Sequence, residues 1–349
     1  MKKKPGTRVV HAGLPEAEAG RPFLPGPVFA APFHLPGDDP HAAPFGYARD
    51  GHPTLALYEQ AVAELDDATA ATVFGSGMAA CSAVLLTCLK PGDLLVASAD
   101  GYNTVRALAN GYLADRGIEL RYCQTDGDWN VDGARLVWVE SPSNPELRVT
   151  DIAVLARRAH DAGALVAVDN TLLTPLGQRP LELGADFAVY SDTKAMTGHS
   201  DVLMGHVATR DDELGRQIRD WRTTTGSLPG PFEAWLAHRS LATLDVRLER
   251  QQRNAQAIAA LLNARGIEAR CRGMVVSFTL DNAQRFLEAC ELVIGATSFG
   301  GVHSTAERRA RWNQGDDVAE GFIRFSAGIE DTDDLLEDVH RALEASATN

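Results

Sequence analysis

The sequence predicts an α/β fold: a large, mostly parallel-sheet domain followed by a smaller C-terminal α+β domain. Three observations predict it. Apolar runs of strand length alternate with helical patterns between residues 70 and 210, as a parallel sheet covered on both faces requires. The character then changes near residue 230, and a long helical stretch from Glu233 to about Ala264 carries Leu241, Leu244 and Leu248 at helical spacing. Beyond it, Met274-Val275-Val276-Ser277-Phe278-Thr279-Leu280 and Phe322-Ile323-Arg324-Phe325-Ser326 read as strands among helices at 282–290 and 333–346. The expected divisions are an arm over 1–45, a large domain over 46–230, and a linking helix with the smaller domain over 231–349.

Length and charge bound the function. A chain of 349 residues can bury ample core. Its net charge of −14 argues against nucleic acid and anionic membranes as partners. An anionic substrate would need a local positive site, so single arginines become informative. No apolar run reaches the roughly 18 residues of a membrane span. The basic start Met1-Lys2-Lys3-Lys4 is followed by no apolar segment, so no signal peptide is expected. Five scattered cysteines without a CxxC read as reduced core thiols of a cytoplasmic protein.

Taken in order, residues 1–45 are rich in Pro and Gly, which forbids long helices there. The segment is too long for an idle loop and is expected to wrap a second subunit; a disordered arm is the alternative. In the loop at 45–53, Tyr47 and Arg49 stand two apart and could jointly hold a phosphate. Thr54 is placed to cap the helix that follows. Ala71-Thr72-Val73-Phe74 is a strand, and Gly75-Ser76-Gly77-Met78 opens a helix running to Cys88. Strand, glycine-rich turn and helix start together offer free N–H groups to an anion, or simply allow close packing. Leu94–Ser98 is a strand, and the loop after it carries Tyr102, placed to stack on a ring. Further strands end at Cys123, at Glu140 before Ser141-Pro142-Ser143-Asn144-Pro145, and at Asp169. Asp169 could meet a ligand or cap the next segment.

The most informative stretch is Tyr190-Ser191-Asp192-Thr193-Lys194-Ala195-Met196-Thr197-Gly198-His199-Ser200-Asp201, between the apolar runs 185–190 and 202–209. It puts one lysine in a small-residue loop between buried strands. Desolvation lowers an amine's pKa toward the range of a nucleophile or base. Hydroxyls at minus one and minus three could bind an anion beside it. Arg324 sits in the middle of an apolar strand, and a buried arginine needs an anionic partner, structural or substrate.

Together these segments resemble the pyridoxal-phosphate (PLP) dependent Cys/Met metabolism family, the trans-sulfuration enzymes. The likeness runs from about Tyr47 to Asp331 and rests on Ser191–Asp201, Tyr47-Ala48-Arg49, Ser76-Gly77-Met78-Ala79, Glu140-Ser141-Pro142-Ser143-Asn144-Pro145, Val168-Asp169-Asn170-Thr171, Gly300-Gly301 and Ile323–Asp331. It implies the aspartate-aminotransferase-like fold (fold type I). It implies that Lys194 forms the Schiff base with PLP and shuttles protons. Ser191, Thr193 and the amides of Gly77 and Met78 would bind the phosphate, completed by Tyr47 and Arg49 of a neighbouring subunit. Asp169 would pair with the pyridine nitrogen, Tyr102 would stack on the ring and assist catalysis, and Asn144 would lie near the ring hydroxyl and the substrate. Arg324 would grip the substrate α-carboxylate, with Ser298 also touching substrate. No metal is implied, and a homo-oligomer, dimer or tetramer, is. The expected activity is γ-elimination of L-cystathionine, as in cystathionine γ-lyases. Cystathionine γ-synthase, an O-acyl-homoserine sulfhydrylase and cystathionine β-lyase are the alternatives, as is a PLP-binding protein without catalysis. Thr297 and His303 depart from the family pattern, as does Arg308-Arg309-Ala310-Arg311-Trp312.

Overall fold

The computed structural model describes residues 3–39, 42–312 and 318–347. Seven strands form the large sheet: β1 (Ala70–Phe74), β2 (Leu94–Ser98), β3 (Glu119–Cys123), β4 (Ala134–Glu140), β5 (Leu165–Asp169), β6 (Phe187–Tyr190) and β7 (Gly205–Thr209). Their spatial order is β1-β7-β6-β5-β4-β2-β3. The pairs from β3 to β6 are parallel, while β7 runs antiparallel to both β6 and β1. Parallel strands buried on both faces carry unbroken apolar runs, and β4 shows this with Leu136, Val137, Trp138 and Val139 all buried. Helices Gly77–Cys88 and Asp212–Thr225 pack on one face with Phe187 and Val207. Helix Pro53–Asp66 lies on the other with Tyr190 and Ala188.

The second sheet contains β8 (Ala269–Arg272), β9 (Val275–Thr279), β10 (Ile294–Gly295), β11 (Thr305–Arg308) and β12 (Phe322–Ser326), in the order β10-β11-β12-β9-β8. All its pairs but β10–β11 are antiparallel. Helices Ala283–Ala289 and Thr332–Ala347 close its core around Phe286, Phe325 and Leu335. Both the α/β class and the smaller α+β unit therefore appear as expected.

Three local readings change. The single helical stretch expected from Glu233 to Ala264 is two helices, Pro231–Leu241 and Leu244–Ala264. The break lets Arg247 turn its guanidinium onto the carbonyls of Ser240, Ala195 and Met196, at 3.0, 2.7 and 3.2 Å. Thr54 does not cap its helix. His52 Nδ1 accepts from the Leu55 amide at 3.2 Å instead, and Thr54 Oγ1 accepts from the Val28 amide at 3.0 Å, fastening the arm. The cysteines are all free, but only Cys81 and Cys88 are buried.

The arm begins with the short helix Pro5–His11, whose Val9 enters the main core with Ala12. The Ala12 carbonyl accepts from His238 Nε2 at 2.8 Å. Farther along, Phe23 and Phe29 are 91% and 73% exposed. Among the described residues, no helix is long and apolar enough to cross a membrane.

The first turn of helix Gly77–Cys88 is seated against β7 through glycine. A Cβ at Gly205 would lie 2.6 Å from both Gly77 Cα and the Tyr190 carbonyl oxygen. Backbone sits on both sides, so no side chain can yield. Gly205→Ala is therefore expected to destabilise the fold by about 1–3 kcal/mol, read as a lowered urea midpoint.

Candidate active site

The site forms where carboxyl ends of parallel strands meet the reversal from β6 to β7. After Tyr190 the chain loops through residues 191–204 before returning as β7. The loop is tied at several points. Thr193 N and Oγ1 both donate to the Met204 carbonyl, at 3.2 and 3.1 Å, and Thr193 Oγ1 accepts the Met204 amide at 3.1 Å. Thr197 N bonds the Asp192 carbonyl at 3.0 Å, and Arg247 holds the carbonyls of Ala195 and Met196 from below. Burial lowers the Arg247 pKa to about 10, which still leaves it charged at neutral pH.

This loop forms one wall of a cavity of about 220 Å³. Lys194, Ser191, Thr193, Gly77 and Met78 line it on the side of the loop and the helix start. Tyr102, Asn144, Asp169, Ser298 and Arg324 line the rest. Ten of the twelve residues singled out from sequence thus face one space. The other two, Tyr47 and Arg49, do not line it. Arg49 Nη1 donates to the Thr223 carbonyl at 2.9 Å, and its guanidinium lies 5.6 Å from the ring centroid of Tyr47, which is 47% exposed.

Lys194 Nζ donates to Ser298 Oγ at 2.9 Å and sits 5.5 Å from the Phe299 ring centroid. Burial lowers its pKa to about 8, Arg324 adds to the fall, and Asp169 and Glu307 oppose it. Ser298 holds φ +83°, a left-handed conformation costing a non-glycine residue about 1 kcal/mol or more. That turn sends its hydroxyl to Lys194 and its carbonyl to Arg324, 3.2 Å from Nη2.

Arg324 is 4% exposed, and its position on β12 pairs across the sheet with Glu307 on β11. Its Nη2 makes an ion pair with Glu307, and its Nη1 donates to Asn144 Oδ1 at 2.8 Å. The buried arginine thus has the structural carboxylate that its burial demands, and it still lines the cavity. Glu307 also accepts from Arg309 Nη1 at 2.8 Å, Trp312 Nε1 at 2.7 Å and Thr297 Oγ1 at 3.2 Å. Burial pushes its pKa up, but Arg324, Trp312 and Arg309 outweigh that, and the carboxyl titrates below its ordinary value.

Asp169 closes the end of β5. Its Oδ1 accepts from the Thr171 amide at 3.0 Å, a tie to the turn that follows, and the residue also lines the cavity. Burial raises its pKa against the pull of Thr171 and of the Lys194 charge. A cation bound at Asp169 would reverse that shift. Glu140, one strand away, accepts the Tyr102 amide at 2.5 Å and so sets the ring of Tyr102 at the cavity edge. Burial, then Asp169, push the Glu140 pKa well up.

These features fit PLP. A Cβ at Gly77 would lie 2.6 Å from Ser191 Cβ, so glycine keeps clear the narrow cradle between helix start and loop. Ser76 Oγ caps the helix by accepting the Ala79 amide at 3.1 Å, which leaves the first-turn amides of Gly77 and Met78 for a phosphate. Thr193 lines the cavity, though its hydroxyl is engaged with Met204. Sequence reasoning gave no role to Glu307 or Glu140. Glu140 could have been found as a glutamate ending a buried strand, whereas Glu307, between Ala306 and Arg308, carries no such local signal.

The comparisons agree with the geometry. The sequence matches the family described as Cys/Met metabolism PLP-dependent enzyme, over residues 30–269 and 266–344. It is 52% identical to the putative cystathionine gamma-lyase of Streptomyces coelicolor, across 97% of this chain and 93% of that one. It is 35% identical to the cystathionine gamma-synthase of Escherichia coli, across 99% of each chain. The crystal structure of cystathionine gamma synthase from Xanthomonas oryzae pv. oryzae, in complex with aminoacrylate and cysteine, superimposes with a TM-score of 0.93, at 31% identity and 99% coverage of both chains. With pyridoxal phosphate as cofactor and a lysine, a carboxylate and an arginine arranged around its cavity, this chain belongs to the PLP-dependent enzymes of cysteine and methionine metabolism.

Proposed function

We propose that the chain is a carbon–sulfur lyase of trans-sulfuration that carries out γ-elimination on L-cystathionine. One water is consumed, and cysteine, 2-oxobutyrate and ammonia are produced. The observation that carries the reading is the Lys194 amine on Ser298 Oγ at 2.9 Å, in a cavity that Arg324 and Asp169 also line. Bound PLP supplies the electron sink that makes protons beside the amino group acidic. Lys194 would hold it covalently, Asp169 would face the ring nitrogen, and Gly77, Met78 and Ser191 would cradle the phosphate.

The remaining work falls to side chains. Arg324, held by Glu307, Asn144 and the Ser298 carbonyl, presents a fixed guanidinium to the substrate α-carboxylate. That anchor brings the substrate's α-proton to Lys194. As a neutral amine, Lys194 takes the α-proton and then serves at the β-carbon. The γ-carbon–sulfur bond breaks, its electrons leave with sulfur, and the thiolate is protonated to cysteine. Tyr102, which lines the cavity, would stack on the cofactor ring.

A γ-synthase or sulfhydrylase would use the same machinery, and the relatives include proteins named as cystathionine gamma-synthases. We assign Tyr47 and Arg49 to the phosphate site of a second subunit. Both lie outside their own cavity, and the neighbouring arm leaves Phe23 and Phe29 exposed. An active-site-sharing dimer, or a tetramer of two such dimers, follows from that assignment. Five free thiols suit a cytoplasmic setting.

Product analysis after incubation with L-cystathionine decides the activity. Cysteine with 2-oxobutyrate is expected; homocysteine with pyruvate would mean a β-lyase, and no turnover would direct the test to activated homoserine esters with a thiol. Lys194→Ala should cut turnover by about 10³-fold or more while circular dichroism stays unchanged. The neutral amine is the nucleophile, so PLP capture by the apoprotein should speed up about tenfold per pH unit below pH 8. It should level off above the Lys194 pKa of about 8, as followed by absorbance after mixing. Arg49→Ala should weaken PLP retention. Mixing it with Lys194→Ala subunits should restore part of the activity in hybrid dimers, and an absence of recovery would count against a shared site.

A further inference from the structure

Directly beneath the lysine-bearing loop lies a charged cluster that the catalytic reading leaves unused. His206 on β7 is fully buried. Its Nδ1 is 2.7 Å from Asp192 Oδ1 and its Nε2 is 3.3 Å from Asp66 Oδ2, and both carboxylates are also fully buried. Asp192 lies in the loop itself, between Ser191 and Thr193 and two residues before Lys194. Asp66 ends helix Pro53–Asp66. Tyr190, which pairs with His206 across β6 and β7, stacks on the imidazole at 4.3 Å and donates its hydroxyl to Asp66. Asn170 donates to the Tyr190 hydroxyl at 3.0 Å, and Asn170 follows Asp169. One connected chain of polar groups therefore runs from the residue beside Asp169 to the middle of the loop that carries Ser191 and Lys194.

Burial raises the Asp66 pKa, and the His206 contact opposes that rise. Ionised carboxylates only accept hydrogen bonds, so with Asp66 and Asp192 both ionised the ring between them donates from both nitrogens and is an imidazolium. Without its charge, two carboxylates would be buried together with no cation between them, which is strongly unfavourable.

We infer that His206 is a positioning residue, whose imidazolium ties Asp192 of the PLP-binding loop to Asp66 of the underlying helix. It touches neither cofactor nor substrate. It holds Ser191 and Lys194 at the height where the phosphate cradle and the amine meet one ligand. The inference rests on PLP occupying this cavity and is independent of which carbon–sulfur bond is cleaved.

The groups facing His206 come from each packed element: Asp66 and, through Asp192, Tyr58 from the helix, Tyr190 from β6, Asp192 from the loop, and apolar Val73 opposite it on β1. Burial alone would lower the imidazole pKa, but Asp192 and then Asp66 outweigh it and raise the value to about 9. A raised histidine pKa means the clamp is complete below the unfolded value of 6.5 and is lost as pH climbs through about 9.

Two experiments test the inference. In the ¹⁵N-histidine spectrum of the wild-type protein, one imidazole should carry protons on both nitrogens at pH 7.5 and titrate near 9, and that signal should be missing in H206N. A ring protonated on one nitrogen alone, with the proton on Asp66 instead, would overturn it. Second, H206F keeps a stacking ring but removes the charge. Its dissociation constant for PLP, measured by fluorescence on folded apoprotein, should rise on the order of tenfold or more. H206F/D192N, which removes the loop's carboxylate and with it the repulsion from Asp66, should recover most of that loss. Unchanged PLP affinity in H206F, or no recovery in the double variant, would refute a charge clamp. Should H206F fail to fold, the wild-type spectrum decides alone. Product identity enters neither readout.

Discussion

A primary amine held out of water is the constraint on which the rest of this structure depends. Lysine resists burial because its ammonium loses hydration, and its pKa falls until the neutral form competes. Here burial and the Arg324 charge bring Lys194 to about 8, while Asp169 and Glu307 keep it from falling further. The surroundings are therefore tuned by opposing charges, and each must itself be buried and satisfied. Arg324 requires Glu307, Glu307 gathers Arg309, Thr297 and Trp312, and the loop needs Arg247 beneath its carbonyls. One displaced amine thus fixes the partners of residues more than 100 positions away.

The sheet topology makes that arrangement affordable in space. Parallel strands deliver Asp169 and Glu140 to one edge, with their carboxylates at the same end. The antiparallel return of β7 then brings the lysine loop back over that edge. Close approach is secured by glycine at Gly77 and Gly205, whose missing side chains let the helix start, β7 and Ser191 meet. The smaller domain contributes what the large sheet lacks, a cation for a carboxylate. Arg324 reaches the cavity because it stands on the central strand of a sheet whose neighbour supplies its counter-ion.

How much of this was legible follows from the range of each interaction. The alternation of strands and helices, the lysine loop and the helix start at Gly77 are local patterns, and they read correctly. Asp169, at the end of its strand, and Tyr102, in the loop after one, were legible from position, and Asn144 only through the family resemblance. The partner of Arg324 was not, since Glu307 and Arg324 meet through cross-strand register that composition cannot give. The His206 cluster is harder still: Asp66 and His206 are 140 residues apart, and each looks alone like an ordinary polar residue next to an apolar run. The Thr54 cap failed for a related reason. The amide of Val28, from the arm, claims its hydroxyl, and His52 takes the helix amide instead.

The overall charge and the local charge of this protein oppose each other, and the distances decide which matters. A net charge of −14 repels anions at long range, but at physiological ionic strength that repulsion is screened beyond about 8 Å. An anion inside the cavity would meet instead the guanidinium of Arg324 and the partial positive charge of the helix start at Gly77, which both line it. Neither is steered from afar. Both act within contact range and in a poorly hydrated space, where a charge-assisted hydrogen bond is about twice as strong as a neutral one. On the proposed reading, recognition of a substrate carboxylate by an acidic protein becomes a matter of geometry at Arg324, and that geometry is set by Glu307, Asn144 and the left-handed turn at Ser298.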